Sequence, residues 1–131
     1  VLVAPSVKAH VQTVTAYIVP LLVGLRYSMP SFLGILCFDA FRAGPITLVR
    51  TTRNLIALDV QEEIRAVSAP TLLVWGENDT LVPPSLAHVL HKDIAHSHLV
   101  LLEKASHVCM YDRARDFNLA VLTFLQFDDK K

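Results

Sequence analysis

Two ionisable side chains stand where proton-transfer chemistry could be run: Asp79, closing the turn Gly76-Glu77-Asn78-Asp79, and His107, closing the loop Lys104-Ala105-Ser106-His107. Each follows an apolar run that reads as a strand buried on both faces, Thr71-Leu72-Leu73-Val74-Trp75 in the first case and His98 to Glu103 in the second. In open parallel sheets, ligands bind beyond the carboxyl ends of the strands. Neighbouring strands lie ~4.8 Å apart, so side chains just past two adjacent ends can meet. A carboxylate that accepts from one imidazole nitrogen fixes the tautomer and leaves the other nitrogen free to take a proton. Taken singly, an Asp after a Gly turn is an ordinary turn residue, and a lone loop His is ordinarily structural. Their placement at successive strand ends is what points to a base and its orienting acid. Val82, Val108 and Met110 flank the pair and read either as pocket walls or as plain core.

The other candidate groups offer less. His88 and His91 lie three apart on one helix, with His96 and His98 close behind. Their ligand type would suit zinc, but the spacing matches no zinc motif and no carboxylate or Cys completes the set. They read as a solvated helix face and a strand edge, so no metal is expected. Cys37 and Cys109 fit no metal or redox spacing and read as free, buried thiols. Twelve basic and twelve acidic residues cancel, and no basic stripe runs along any predicted helix, which argues against a nucleic-acid partner.

The elements that must position the pair follow from the pattern of breaks. The chain has 131 residues, 53% of them hydrophobic, which excludes disorder and allows one domain with its own core. Residues 1–6 read as a core strand broken at Pro5, with Ser6 placed to start a helix. Residues 7–58 read as a helical region: a first helix interrupted by Pro20 and Gly24, a second from Phe32 to Arg42 capped by Ser31 and ended by Gly44, and a third from about Ile46 to Leu58. Apolar residues cover much of each helix, so burial on more than one side is expected. The most charge-poor stretch, Ala9 to Leu25, has 17 residues. That is short of the ~20 a membrane-spanning helix needs, and a greasy helix packed over a pocket is the reading preferred.

At Asp59 the pattern changes. Asp59-Val60-Gln61-Glu62 resembles a capping box and opens a short helix ending near Ser68. A helix from Pro83-Pro84-Ser85 to about His96 separates the two buried strands. The last helix, Arg113 to Phe127, carries Phe117, Ala120, Val121, Phe124 and Leu125 on one face. Alternation of helix and strand over residues 59–131 implies an α/β fold with an open parallel sheet and crossover helices.

The segment from Pro70 to Pro83, Pro-Thr-Leu-Leu-Val-Trp-Gly-Glu-Asn-Asp-Thr-Leu-Val-Pro, closely resembles the region around the triad acid in the α/β-hydrolase superfamily. Ala105-Ser106-His107, followed by Tyr111-Asp112-Arg113-Ala114-Arg115-Asp116-Phe117, resembles that family's His loop and the start of its final helix. Ser106 stands where the family usually has Gly, and Asp112 and Ala114 stand where it commonly has Glu and Pro. The resemblance spans about residues 59–131; residues 1–58 match only in outline, as a core strand followed by a helical cap. It implies the C-terminal half of an α/β-hydrolase fold with a helical cap insertion, and it makes Asp79 and His107 the catalytic acid and base.

In that family the nucleophile precedes the acid, on a G-x-S-x-G elbow. The four glycines, Gly24, Gly34, Gly44 and Gly76, bracket no Ser at that spacing, so this chain holds no recognisable nucleophile. The expectation is that nucleophile and oxyanion hole lie upstream of Val1 in a longer protein, and that the chain alone is inactive. The implied reaction is two-step acyl transfer without metal or organic cofactor, on a small hydrophobic ester. The aromatic residues Tyr17, Tyr27, Phe32, Phe38 and Phe41 favour such a substrate, or simply pack the cap. Two alternatives stay open: a hydrolase with an Asp nucleophile, of dehalogenase or epoxide hydrolase type, and a non-catalytic binding protein. Under the last reading, and equally for a lone fragment, the strand edge at Val1 to Ala4 is expected to seek pairing, in a homodimer or with an N-terminal half.

Overall fold

A computed structural model describes residues 1–5, 14–57 and 60–128. Among these residues, three parallel strands form one sheet in the order β1-β2-β3: β1 is Leu2–Val3, β2 Thr71–Gly76 and β3 Ser97–Leu102. Leu73 in the middle strand pairs with Leu2 on one side and Leu99 on the other. All six residues of β2 are buried, as its unbroken apolar run requires of a strand covered on both faces.

The two faces of β2 build two cores. Leu73 and Trp75 pack with Ala87, Leu90 and Ile94 of the segment around α5 (Pro84–Asp93), joined at the margin by Ile64 of α4 (Gln61–Arg65). Leu72 and Val74 pack with Leu102 and Cys109 and, at the margin, with Phe117, Val121 and Phe124 of α7 (Ala114–Asp128). Alternate residues of one strand thus face opposite layers, and helices cover both. Of the amphipathic face expected for the last helix, Phe117, Val121 and Phe124 pack, whereas Leu125 is exposed.

Residues 14–57 hold a 3₁₀ turn, Val14–Tyr17, then α1 (Ile18–Gly24), α2 (Pro30–Ala43) and α3 (Pro45–Ala57). The second helix starts at Pro30 with extended Met29 as its cap residue, two positions before the Phe32 expected from Ser31 as cap. Proline's fixed φ and missing N–H suit the first helical position, and this outweighs a serine cap one residue later. Gly44, at φ 78°, breaks the chain between α2 and α3, which are bent by 101°. No single helix among the described residues is long and apolar enough to cross a membrane.

Several expectations need correction. Helices α1 and α2 contain no buried residue, and Phe38, Phe41, Val19 and, on α3, Ile46 are strongly exposed, so burial on several sides is not what the structure has. Apolar composition reports a surface able to pack, not one that is packed. Cys37, on the open side of α2, is exposed, and only Cys109 is buried. The first strand is two residues long, because Ala4 turns out of the extended region at φ 37° while its N–H still reaches Val74 O. Helix α5 ends at Asp93 rather than His96: Ile94 is extended and drops into the core at 1% exposure. A one-turn helix, α6 (Cys109–Asp112), is too short for periodicity to show it. Ser6, Val7 to Thr13, Leu58 and Asp59, where one helix start and one cap were expected, lie outside the described residues.

Candidate active site

The acid loop is built from the end of β2 outward. Trp75 is fully buried, and its indole Nε1–H donates to Val82 O at 2.8 Å, which pins the far end of the turn to the strand. Within that turn, Asp79 Oδ1 accepts from the N–H groups of Leu81 (2.9 Å) and Val82 (2.8 Å). A short side chain bonding backbone two and three residues on is what makes Asp a turn former. Here it also leaves Oδ2 aimed away from the turn.

The His loop leaves β3 through Lys104, held at φ 57°, and is stitched to the acid turn by backbone. Glu77 N–H donates to Leu102 O (3.0 Å) and Asn78 N–H to Ala105 O (2.9 Å). The loop passes so close to Gly76 that a Cβ there would stand 2.1 Å from Ser106 O and 2.6 Å from Ala105 O. Only glycine fits the end of this strand, so the family-like Gly turn is a packing requirement at the site itself.

These two loops bring His107 Nδ1 to 2.9 Å from Asp79 Oδ2. The Asp79 side chain is fully buried, whereas the His107 ring is 39% exposed. A carboxylate can only accept, so Nδ1 carries the proton and donates, and Nε2 is left as the basic nitrogen. The imidazole is thereby held in one tautomer by a buried charge that would also stabilise the imidazolium. Among the described residues, no hydroxyl or thiol is hydrogen-bonded to His107.

His107 lines a cleft of about 130 Å³. Its walls are mostly apolar, with Leu21, Leu25, Phe32 and Leu36 from the helical segment facing Leu81 and Val108 from the two loops. Of the three candidate wall residues, only Val108 lies there. Val82 is in the core against Trp75, at 6% exposure, and serves the site through its backbone. Met110 is exposed at the start of α6, outside the cleft. Among the aromatic residues of the helical segment, Phe32 alone lines the cleft; Tyr27, Phe38 and Phe41 face solvent, and the Tyr17 side chain is outside those described.

A second carboxylate organises the base loop and was not anticipated as part of the site. Asp112 is 5% exposed. Its Oδ2 accepts from Ser106 N–H (2.8 Å) and from the Ser106 hydroxyl, and its Oδ1 accepts from Met29 N–H (3.1 Å). One side chain thus ties the residue before His107 to the N-terminus of α2. Nearby, Tyr111 donates to Ser31 Oγ (3.0 Å) and stacks at a tilt on Phe32, and Thr80 donates to Pro20 O (2.6 Å). The signal for Asp112 was present, a carboxylate five positions after His107 where the resembled family commonly has Glu.

The remaining candidates sit elsewhere. His91 Nδ1 pairs with Ser97 Oγ and His98 packs edge-on against Phe124. Burial, reinforced by the Asp79 charge, pushes the Cys109 thiol up to about 11, so it is a protonated core group and no nucleophile at neutral pH.

No family model matches the chain. It is 37% identical over 68 residues to a 2-hydroxy-6-oxononadienedioate/2-hydroxy-6-oxononatrienedioate hydrolase of Pseudomonas putida, covering 52% of this chain and 24% of that protein. It is 31% identical over 68 residues to the pimeloyl-[acyl-carrier protein] methyl ester esterase of Neisseria meningitidis, covering 52% of this chain and 27% of that one. The chain therefore spans about a quarter of the length of these curated relatives. Among solved structures it is similar to MGS-M2, an α/β-hydrolase enzyme from a deep-sea metagenome library, with TM-score 0.56 and 28% identity over 61% of this chain and 29% of that one. Shared parallel-sheet architecture and shared sequence lead to the same place, and the chain belongs to the α/β-hydrolase superfamily, of whose fold it forms a part.

Proposed function

We propose that this chain supplies the acid and base of a serine-type hydrolase, esterase-like or lipase-like, acting on an ester with a small hydrophobic acyl group. The observation that carries the reading is the contact of His107 Nδ1 with buried Asp79 at the mouth of an apolar cleft. A serine contributed by another part of the whole protein attacks the ester carbonyl while His107 Nε2 takes its proton. Asp79 holds the imidazolium, which then protonates the leaving alkoxide. In the second step His107 takes a proton from water, and the resulting hydroxide releases the acid product. Helices α1–α3 act as a cap, and the segment from Gly24 to Phe32 forms the wall facing His107. Resemblance to an esterase and to a hydrolase of a dienedioate supports hydrolysis as the reaction type.

The test is ester hydrolysis by the intact protein, with p-nitrophenyl butyrate as substrate and a serine-directed phosphonate as inhibitor. Turnover that the phosphonate abolishes is the expected result. Absence of ester turnover together with release of halide or opening of an epoxide would replace it by an Asp-nucleophile hydrolase. Absence of all three activities would leave a binding protein. The 131-residue chain alone is expected to hydrolyse no ester above background.

A further inference from the structure

The cleft beside His107 is apolar except for a few hydroxyls, and their hydrogen bonds have a direction. Asp112, nearly fully buried, accepts hydrogen bonds from the Ser106 hydroxyl and from the Ser106 N–H. The Ser106 oxygen can therefore only accept from its next neighbour, which is Ser28 Oγ at 2.9 Å. Ser28 has one proton and a second acceptor in reach, Gly24 O at 3.3 Å, and the shorter contact takes it. The chain runs Ser28 to Ser106 to Asp112, each hydroxyl donating inward toward the buried charge. Thr80 is spent in the same way, because its proton goes to Pro20 O.

Ser28 lies on the cap side of the cleft, and Ser106 precedes His107 on the core side. With its proton directed away, Ser28 presents only lone pairs to a bound molecule. We propose that Ser28 is a specificity-determining residue whose Oγ accepts a hydrogen bond from a hydroxyl or N–H carried by the acyl part of the substrate. The inference rests on the ester-hydrolase reading above and narrows its substrate class from plain acyl esters to esters bearing a hydrogen-bond donor. A cleft of about 130 Å³ is close in size to the cavity that holds benzene, so a six-carbon acyl group is the probe matched to it. An acyl chain without the donor would strip water from Ser28 and return nothing, and sites built around a polar contact discriminate by that loss.

The experiment compares methyl hexanoate with its 3-hydroxy and 6-hydroxy counterparts on the intact protein. kcat/KM is read by pH-stat, and calorimetry gives Kd for the matching N,N-dimethyl amides, which are not hydrolysed. At least one hydroxylated ligand is expected to exceed its parent about tenfold in both measurements. Ser28→Ala is expected to abolish that ratio, and Ser28→Thr, which keeps the hydroxyl, to retain most of it. Equal values for hydroxylated and plain ligands in the wild type, or a ratio that survives Ser28→Ala, would overturn the proposal. Amide discrimination without any ester turnover would sink the hydrolase reading and leave this one standing. Ester turnover without discrimination would do the reverse.

Discussion

Asp79 does two jobs with two oxygens, and the division is what makes it a candidate acid rather than a turn residue. Oδ1 satisfies two backbone N–H groups of its own loop, and Oδ2 accepts the hydrogen bond from His107 Nδ1–H. Asp79→Asn separates the jobs. The amide oxygen can still accept from Leu81 and Val82, but the group facing His107 becomes an N–H donor and forces the imidazole into the other tautomer. In the intact protein kcat for ester hydrolysis is expected to fall about 10⁴-fold. Thermal unfolding is expected to move by no more than a few degrees. A variant that keeps its turnover would show that the buried carboxylate is structural only. The sequence made this pair legible because each residue type follows a recognisable apolar strand, although only β2 is buried throughout. Strand β3 is the outer strand of the described sheet, with Leu102 buried and His98 and Leu101 exposed, so the expectation of burial on both faces is corrected there. Asp112 was legible only as a departure from a family pattern, since its partners, Ser106 and Met29, are a neighbouring loop and a residue more than eighty positions away.

At the scale of elements, the site is an arrangement of strand ends. Strand β2 stops at Gly76 because the His loop occupies the space a side chain would need. Gly76→Ala is therefore expected to destabilise the protein by about 1–3 kcal/mol, as overpacking does, and to displace His107 from Asp79. A shift of the urea midpoint to lower concentration, with unchanged slope, would report it; a variant as stable as the parent would mean the loop yields freely. Strands β2 and β3 and the helix α7 could be read from residue pattern, since apolar runs and a one-sided face survive without tertiary information. The start of α2 could not, because Pro30 and Ser31 both favour helix starts and only the hydrogen bond from Met29 to Asp112 fixes which one is used. The exposed flank of α1–α3 was illegible for a different reason: composition does not say which neighbour a greasy helix faces.

At the scale of the molecule, the fold is asymmetric in what it covers. The sheet is clothed by α5 on one face and α7 on the other, whereas the helical segment holds out Phe41 at 89% and Ile46 at 82% exposure. Patches of this kind, with a sheet whose β1 edge pairs over only two residues, favour association. The 131-residue chain by itself is expected to show concentration-dependent sedimentation that Phe41→Glu combined with Ile46→Glu reduces; a monomer at all concentrations would contradict this. The same segment reaches the core at the places that flank the acid and the base, through Thr80 with Pro20, Ser106 with Ser28, and Asp112 with Met29. Placement of the helical segment and placement of the base are in this way one structural problem. The most direct test of the whole account is His107→Ala in the intact protein, assayed for ester hydrolysis with the fold checked by circular dichroism. The account predicts a loss in kcat of at least about 10³-fold with KM changed by less than about tenfold. Unchanged turnover in a folded His107→Ala variant would contradict it.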